Sequence, residues 1–92
     1  WTTTGTLKYP RYKHTATVLN NGKVLVTGGY AFPANADSAE FYDPTTGLWV
    51  TTNDMQYTRV AHTATLLSNG KVLVTGGLSS SSSYLTAELY ET

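Results

Sequence analysis

The residues with the greatest chemical potential in this chain come in pairs. His14 and His62 are the only histidines, Arg11 and Arg59 each stand three residues ahead of one, and Glu40 and Glu88 each follow one by 26. An imidazole can ligate a metal or move a proton, but a metal site needs two or three converging ligands, and no cysteine or neighbouring carboxylate joins either histidine in sequence. Each instead opens the run His-Thr-Ala-Thr. The expected role is structural: an imidazole hydrogen-bonded within a sheet and repeated because its surroundings repeat. Arginine offers paired donors in a plane, a match for a carboxylate, and Glu40 and Glu88 recur at the arginines' own period. Serine, histidine and aspartate are all present, yet nothing resembles the local signature of a nucleophilic triad. The Asn-Gly-Lys turns have too few glycines and no following helix to cradle a phosphate. No catalytic residue, cofactor or metal is expected.

The bulk composition says which elements must hold these pairs. In 92 residues there are 17 threonines, 7 serines, 8 glycines and 7 tyrosines, with only 13% charged. Threonine, valine, tyrosine and tryptophan suit a pleated surface, and glycine, asparagine and proline punctuate it with turns, so an all-β protein is expected. Six basic residues balance six acidic ones, giving a formal net charge of zero. No basic stripe is available to attract nucleic acid or an anionic membrane. The apolar runs are too short for a membrane helix or a signal-peptide core. The absence of cysteine removes disulfides, thiolate metal sites and thiol nucleophiles, and leaves the compartment unread.

An offset of 48 lays residues 1–44 over 49–92 without a gap, with 22 of the 44 aligned positions identical. The chain therefore divides into two units, 1–48 and 49–92. A unit of this size suits a four-stranded propeller blade. His14 to Leu19 alternates as a first strand, Asn20-Asn21-Gly22 signals a tight primed turn, and Lys23 to Thr27 is the second strand. Gly28-Gly29, repeated as Gly76-Gly77, ends it where the backbone must depart sharply or a neighbour approach closely. Ser38 to Tyr42 is the third strand, Asp43 to Gly47 a turn, and Leu48 to Thr52 the fourth. The second unit repeats them at 62–67, 71–75 and 85–90. The units differ most in the loops 30–37 and 78–84, the latter holding the serine run Ser79 to Ser83, which reads as a flexible surface loop.

Arg11 and Arg59, the stretches KVLVTGG at 23–29 and 71–77, Glu40/Tyr42 and Glu88/Tyr90, and Trp1 and Trp49 together resemble the kelch repeat over essentially the whole chain. The resemblance implies a β-propeller of four-stranded antiparallel blades around a central channel. In kelch-domain adaptors of ubiquitin ligases the matching arginines line the channel mouth and grip acidic motifs. That role would fall here to Arg11 and Arg59, with Tyr9 and Tyr57 preceding them in the same loop. The other reading, a structural pair with Glu40 or Glu88, stays open. Trp1, Trp49, Tyr42 and Tyr90 are expected to pack the blades, and Tyr30, Phe32 and Tyr84, in the variable loops, are candidates for exposed contacts. A galactose-oxidase-like activity needs a tyrosine crosslinked to cysteine beside copper, and this chain has no cysteine. The sialidase box is also absent, since Asp43 to Trp49 spaces Asp and Gly wrongly.

Two blades do not close a ring, and a repeat whose faces must be covered by neighbours is unstable below about three units. The sequence starts in a fourth strand, Trp1 to Thr4, and ends at a third, so residues 1–4 are expected to complete the blade of 62–92 in a neighbouring copy. A cyclic assembly of n copies has 2n blades. The expectation is a six-bladed homotrimer acting as a binding scaffold, with an acidic peptide or a glycan as ligand at one face. An eight-bladed tetramer, an excerpt of a longer propeller and a purely structural or engineered ring without a ligand are the alternatives.

Overall fold

The computed structural model describes residues 1–31, 36–78 and 86–91. Every regular element among them is a strand: β1 (Arg11–Tyr12), β2 (Thr15–Val18), β3 (Val24–Thr27), β4 (Tyr30–Ala31), β5 (Ala39–Asp43), β6 (Leu48–Thr51), β7 (Thr63–Leu66), β8 (Val72–Thr75) and β9 (Ala87–Tyr90). They build antiparallel sheets in the orders β2-β3-β5-β6, β7-β8-β9 and β1-β4. The first is one complete blade and the second is a blade with three strands among the described residues. No helix of the described residues is long and apolar enough to cross a membrane. Phe32, Ser79 to Ser83, Tyr84 and Leu85 lie outside the described residues.

The strands follow the residue pattern, and the differences at their ends have local causes. Lys13 and Ala61, at equivalent positions, take left-handed φ values of 58° and 53°. This breaks the extended chain just before the histidines, so β2 and β7 begin one residue after His14 and His62. The turn between β2 and β3 is not the primed turn expected from Asn-Gly. Only Gly22 has positive φ, at 83°, whereas a primed turn of that type needs it at both central residues. Gly22 N donates to Leu19 O at 3.0 Å, Leu19 N to Lys23 O at 2.7 Å, and Asn21 Oδ1 accepts from Lys23 N at 3.0 Å. This is a three-residue connection with a left-handed glycine at its end. Asn69 and Gly70 repeat it before β8.

Within the complete blade, Tyr42 of β5 lies opposite Trp49 of β6, ring centroids 5.2 Å apart. The Trp49 indole N–H donates to Gly5 O at 3.1 Å. Trp1, expected to pack, is fully exposed, and Trp1 to Thr4 form no strand within the chain. Among the described residues no third strand lies beside them. Thr4 Oγ1 nevertheless meets Tyr42 Oη at 2.8 Å, just as Thr52 Oγ1 meets Tyr90 Oη at 3.0 Å. Residues 1–4 thus arrive at the first blade as the end of β6 arrives at the second.

The core lies between the two blades. Leu19, Leu25 and Ala39 of the first pack with Val72 and Val74 of the second, flanked by Met55, Ala64, Leu66 and Tyr90. Opposite faces meet. Leu25 lies one position out of phase with Val72 and Val74 in the repeat, so the chain presents one face of its first sheet to the other face of its second. Burial of such side chains contributes roughly 1.5–3 kcal/mol each, which is what fixes the blades against one another.

Candidate functional site

The arginines and glutamates come together inside each blade. Glu40 on β5 accepts from Arg11 Nη2 at 3.0 Å and from the backbone N–H groups of Lys8 and Tyr9 at 2.7 and 3.3 Å. Arg11 Nη1 also donates to Gly28 O and Ser38 O, at 3.0 and 3.1 Å. Glu88 repeats this with Arg59 Nε at 3.0 Å and the N–H groups of Gln56 and Tyr57 at 2.6 and 3.3 Å, and Arg59 Nη1 donates to Gly76 O and Thr86 O. Each cluster ties the incoming loop to the third strand of its sheet. The Arg11, Glu40 and Arg59 side chains are 0% exposed and Glu88 13%.

The ion pairs of Arg11 with Glu40 and of Arg59 with Glu88 are both present within the chain. Within the chain both guanidiniums are enclosed and turned onto their own blade, because a buried charge must find donors and acceptors locally. Tyr9 is half-buried, with Lys8 Nζ 5.5 Å from its ring, and Tyr57 is more exposed, beneath the Arg59 guanidinium at 5.8 Å.

The histidines do not behave alike. His62 is 5% exposed and reaches across to the first blade, where its Nε2 lies 3.0 Å from Thr15 Oγ1 and 3.1 Å from Thr27 Oγ1, the two hydroxyls being 2.8 Å apart. His14 is exposed. Two backbone bonds flank the His62 contact: Gly29 N donates to Arg59 O at 2.8 Å and Ala61 N to Lys13 O at 2.9 Å. Among the described residues no group of three or more potential metal ligands gathers. Sequence reasoning missed the threonines, reading them only as strand formers. Their recurrence at 15, 27, 63 and 75 opposite a recurring histidine was the available signal.

Burial holds the His62 imidazole below its ordinary pKa, aided by the Arg59 charge and by His14 and opposed by a hydrogen bond at Thr27. A neutral folded imidazole means that the unfolded chain binds the proton more readily. This contribution is therefore fully present above about pH 6.5, the unfolded value, and is lost as pH falls through the lower folded one. Urea midpoints at pH 7.5 and 5.5 should show the wild-type chain losing more stability than His62→Gln over that interval. An equal loss in both would contradict this.

On the surface, Tyr12 of β1 and Tyr30 of β4 stand opposite each other, 61% and 45% exposed, with ring centroids 4.9 Å apart. Tyr30 thus stands where an exposed contact was expected, and Tyr12 joins it. A cavity of about 180 Å³ between the blades is lined by Met55, Val74, Glu88 and Tyr90 among others. It is smaller than the roughly 300 Å³ at which ligand pockets begin. The family model described as Kelch motif matches residues 10–56, which spans β1 to β6 and the loop beyond. No curated protein matches the chain.

Proposed function

Because the chain belongs to the kelch-motif family, we propose that it is a β-propeller building unit that closes its ring with further copies and serves as a protein- or ligand-binding scaffold without catalysis. The observation that carries this reading is the open outer edge of β9 beside a fully formed counterpart. In the first blade β5 is covered by β6, whereas β9 has β8 on one side and no strand on the other among the described residues. Trp1 to Thr4 are the repeat equivalents of Trp49 to Thr52 and form no strand. Unpaired edges of this kind recruit strands.

Three copies supply six blades, within the usual range of about four to eight, and a trimer is preferred over an eight-bladed tetramer. The buried arginine clusters then act as internal braces, and a partner, a glycan or a peptide, docks on the exposed face bearing Tyr12 and Tyr30, where aromatic area and hydroxyls are both available. Light scattering at micromolar concentration is expected to give three times the 10.0 kDa chain mass. A mass of one chain at that concentration would rule out ring closure by copies and favour an excerpt of a longer propeller.

A further inference from the structure

The joint between the two blades also specifies how a second copy would be recognised, an inference that rests on the ring reading above. At the internal joint, His62 of the second blade seats on the hydroxyl pair Thr15 and Thr27 of the first. Among the described residues, each half of that contact occurs once more without its complement. Thr63 Oγ1 and Thr75 Oγ1 are 2.8 Å apart, the same separation as Thr15 and Thr27, but this pair is exposed, and His14 is exposed too. We propose that His14 of the next copy seats between Thr63 and Thr75 of the first, making the contact between copies a repeat of the contact between blades.

The surfaces around these residues agree. Leu19, Leu25 and Ala39 are buried at the internal joint, whereas their equivalents Leu67 and Leu73 are only half-buried and Ala87 is exposed. An apolar face that the second blade covers on the first is therefore left open on the second, and its complement on another copy is the other face of a first blade. The backbone supplies matching partners. By the same offset, the bond from Gly29 N to Arg59 O becomes Gly77 N to the next copy's Arg11 O, and that from Ala61 N to Lys13 O becomes the next copy's Lys13 N to Ala61 O. Gly77 keeps the left-handed φ of Gly29, 91° against 76°, so its N–H is already presented in the required way.

The offset also sets the strand register. In the complete blade Phe41 lies opposite Val50 and Tyr42 opposite Trp49. Shifted by one repeat, Leu89 lies opposite Thr2 of the next copy and Tyr90 opposite its Trp1, which gives the exposed Trp1 and Leu89 their cover.

Light scattering over a dilution series, with wild type, His14→Ala, Thr75→Val and the double variant, tests this. His14 is exposed in the single chain, so its removal leaves the blade fold intact by circular dichroism. Either single change is expected to raise the concentration of half-dissociation about tenfold, as for loss of one buried hydrogen-bonded contact, and the double variant adds little to either. Thr2→Cys with Leu89→Cys should form intermolecular disulfides on oxidation, and neither cysteine alone should build a closed crosslinked ring. Wild-type assembly together with unchanged dissociation of His14→Ala, or with no crosslink in the cysteine pair, overturns the proposed joint and leaves the ring reading standing. A wild-type chain that stays monomeric overturns the ring reading itself.

Discussion

Replacing Glu40 with alanine is expected to destabilise the chain by about 3–5 kcal/mol, the cost typical of removing one partner from a buried ion pair. The Arg11 side chain facing it is 0% exposed, and the N–H groups of Lys8 and Tyr9 end on the same carboxylate. Alanine strips three donors of their acceptor at once and leaves a guanidinium charge enclosed. Domains of this size have roughly 5–15 kcal/mol in total, so a large share of the stability rests on one side chain. Glu88→Ala is expected to cost less, because Glu88 is 13% exposed and water can reach the site it vacates. Arg11→Met combined with Glu40→Leu should recover part of the loss by removing the stranded charge, though not the backbone contacts. Urea denaturation of the four proteins gives the answer. A Glu40→Ala midpoint within about 1 kcal/mol of wild type would show that the pair does not brace the blade.

Gly28→Ala should be comparably severe for a different reason. Gly28 has φ of +62°, and an added Cβ would lie 2.5 Å from the backbone oxygen of Arg59 and 2.7 Å from His62 Cε1. The left-handed conformation alone costs a non-glycine residue roughly 1–2 kcal/mol, and forcing atoms into a packed interior typically adds 1–3 kcal/mol. The obstacle is backbone of the neighbouring blade, which cannot swing aside as a side-chain tip would. Gly22 provides the control: its φ is +83° but nothing lies within 4 Å of the added carbon. Gly22→Ala should therefore show the conformational cost alone. At about 4–8 °C per kcal/mol for a domain of this length, thermal melting should separate the two variants clearly. Equal melting temperatures would mean that the blades do not approach at Gly28 as described.

The brace and the glycine contact differ in how readable they were. The Arg11–Glu40 pairing was one of two open readings, because a guanidinium suits either a structural carboxylate or an acidic ligand and residue type does not choose between them. Enclosure chose. The double glycine announced a close approach or a sharp departure, but not that the approaching groups would be Arg59 O and His62. The two-residue strands β1 and β4 were invisible, since two residues carry no period. The turn at Asn20 to Gly22 was placed correctly and typed wrongly, as Asn-Gly also suits a connection in which only the glycine is left-handed.

What the amino-acid order determines by itself is everything that repeats: the 48-residue offset, the antiparallel strands with their alternating faces, the turns, and the kelch-type blade. These depend on local conformational preference and on identical residues recurring in register, so a linear reading suffices. Tertiary structure alone decided what differs between equivalent residues. His14 and His62, Thr27 and Thr75, and Ala39 and Ala87 share identity and neighbours in sequence yet differ in burial, because burial depends on whether another sheet lies across the face. Each blade has a neighbour within the chain across one face only, so the first buries Thr27 and Ala39 and leaves His14 open, while the second buries His62 and leaves Thr75 and Ala87 more open.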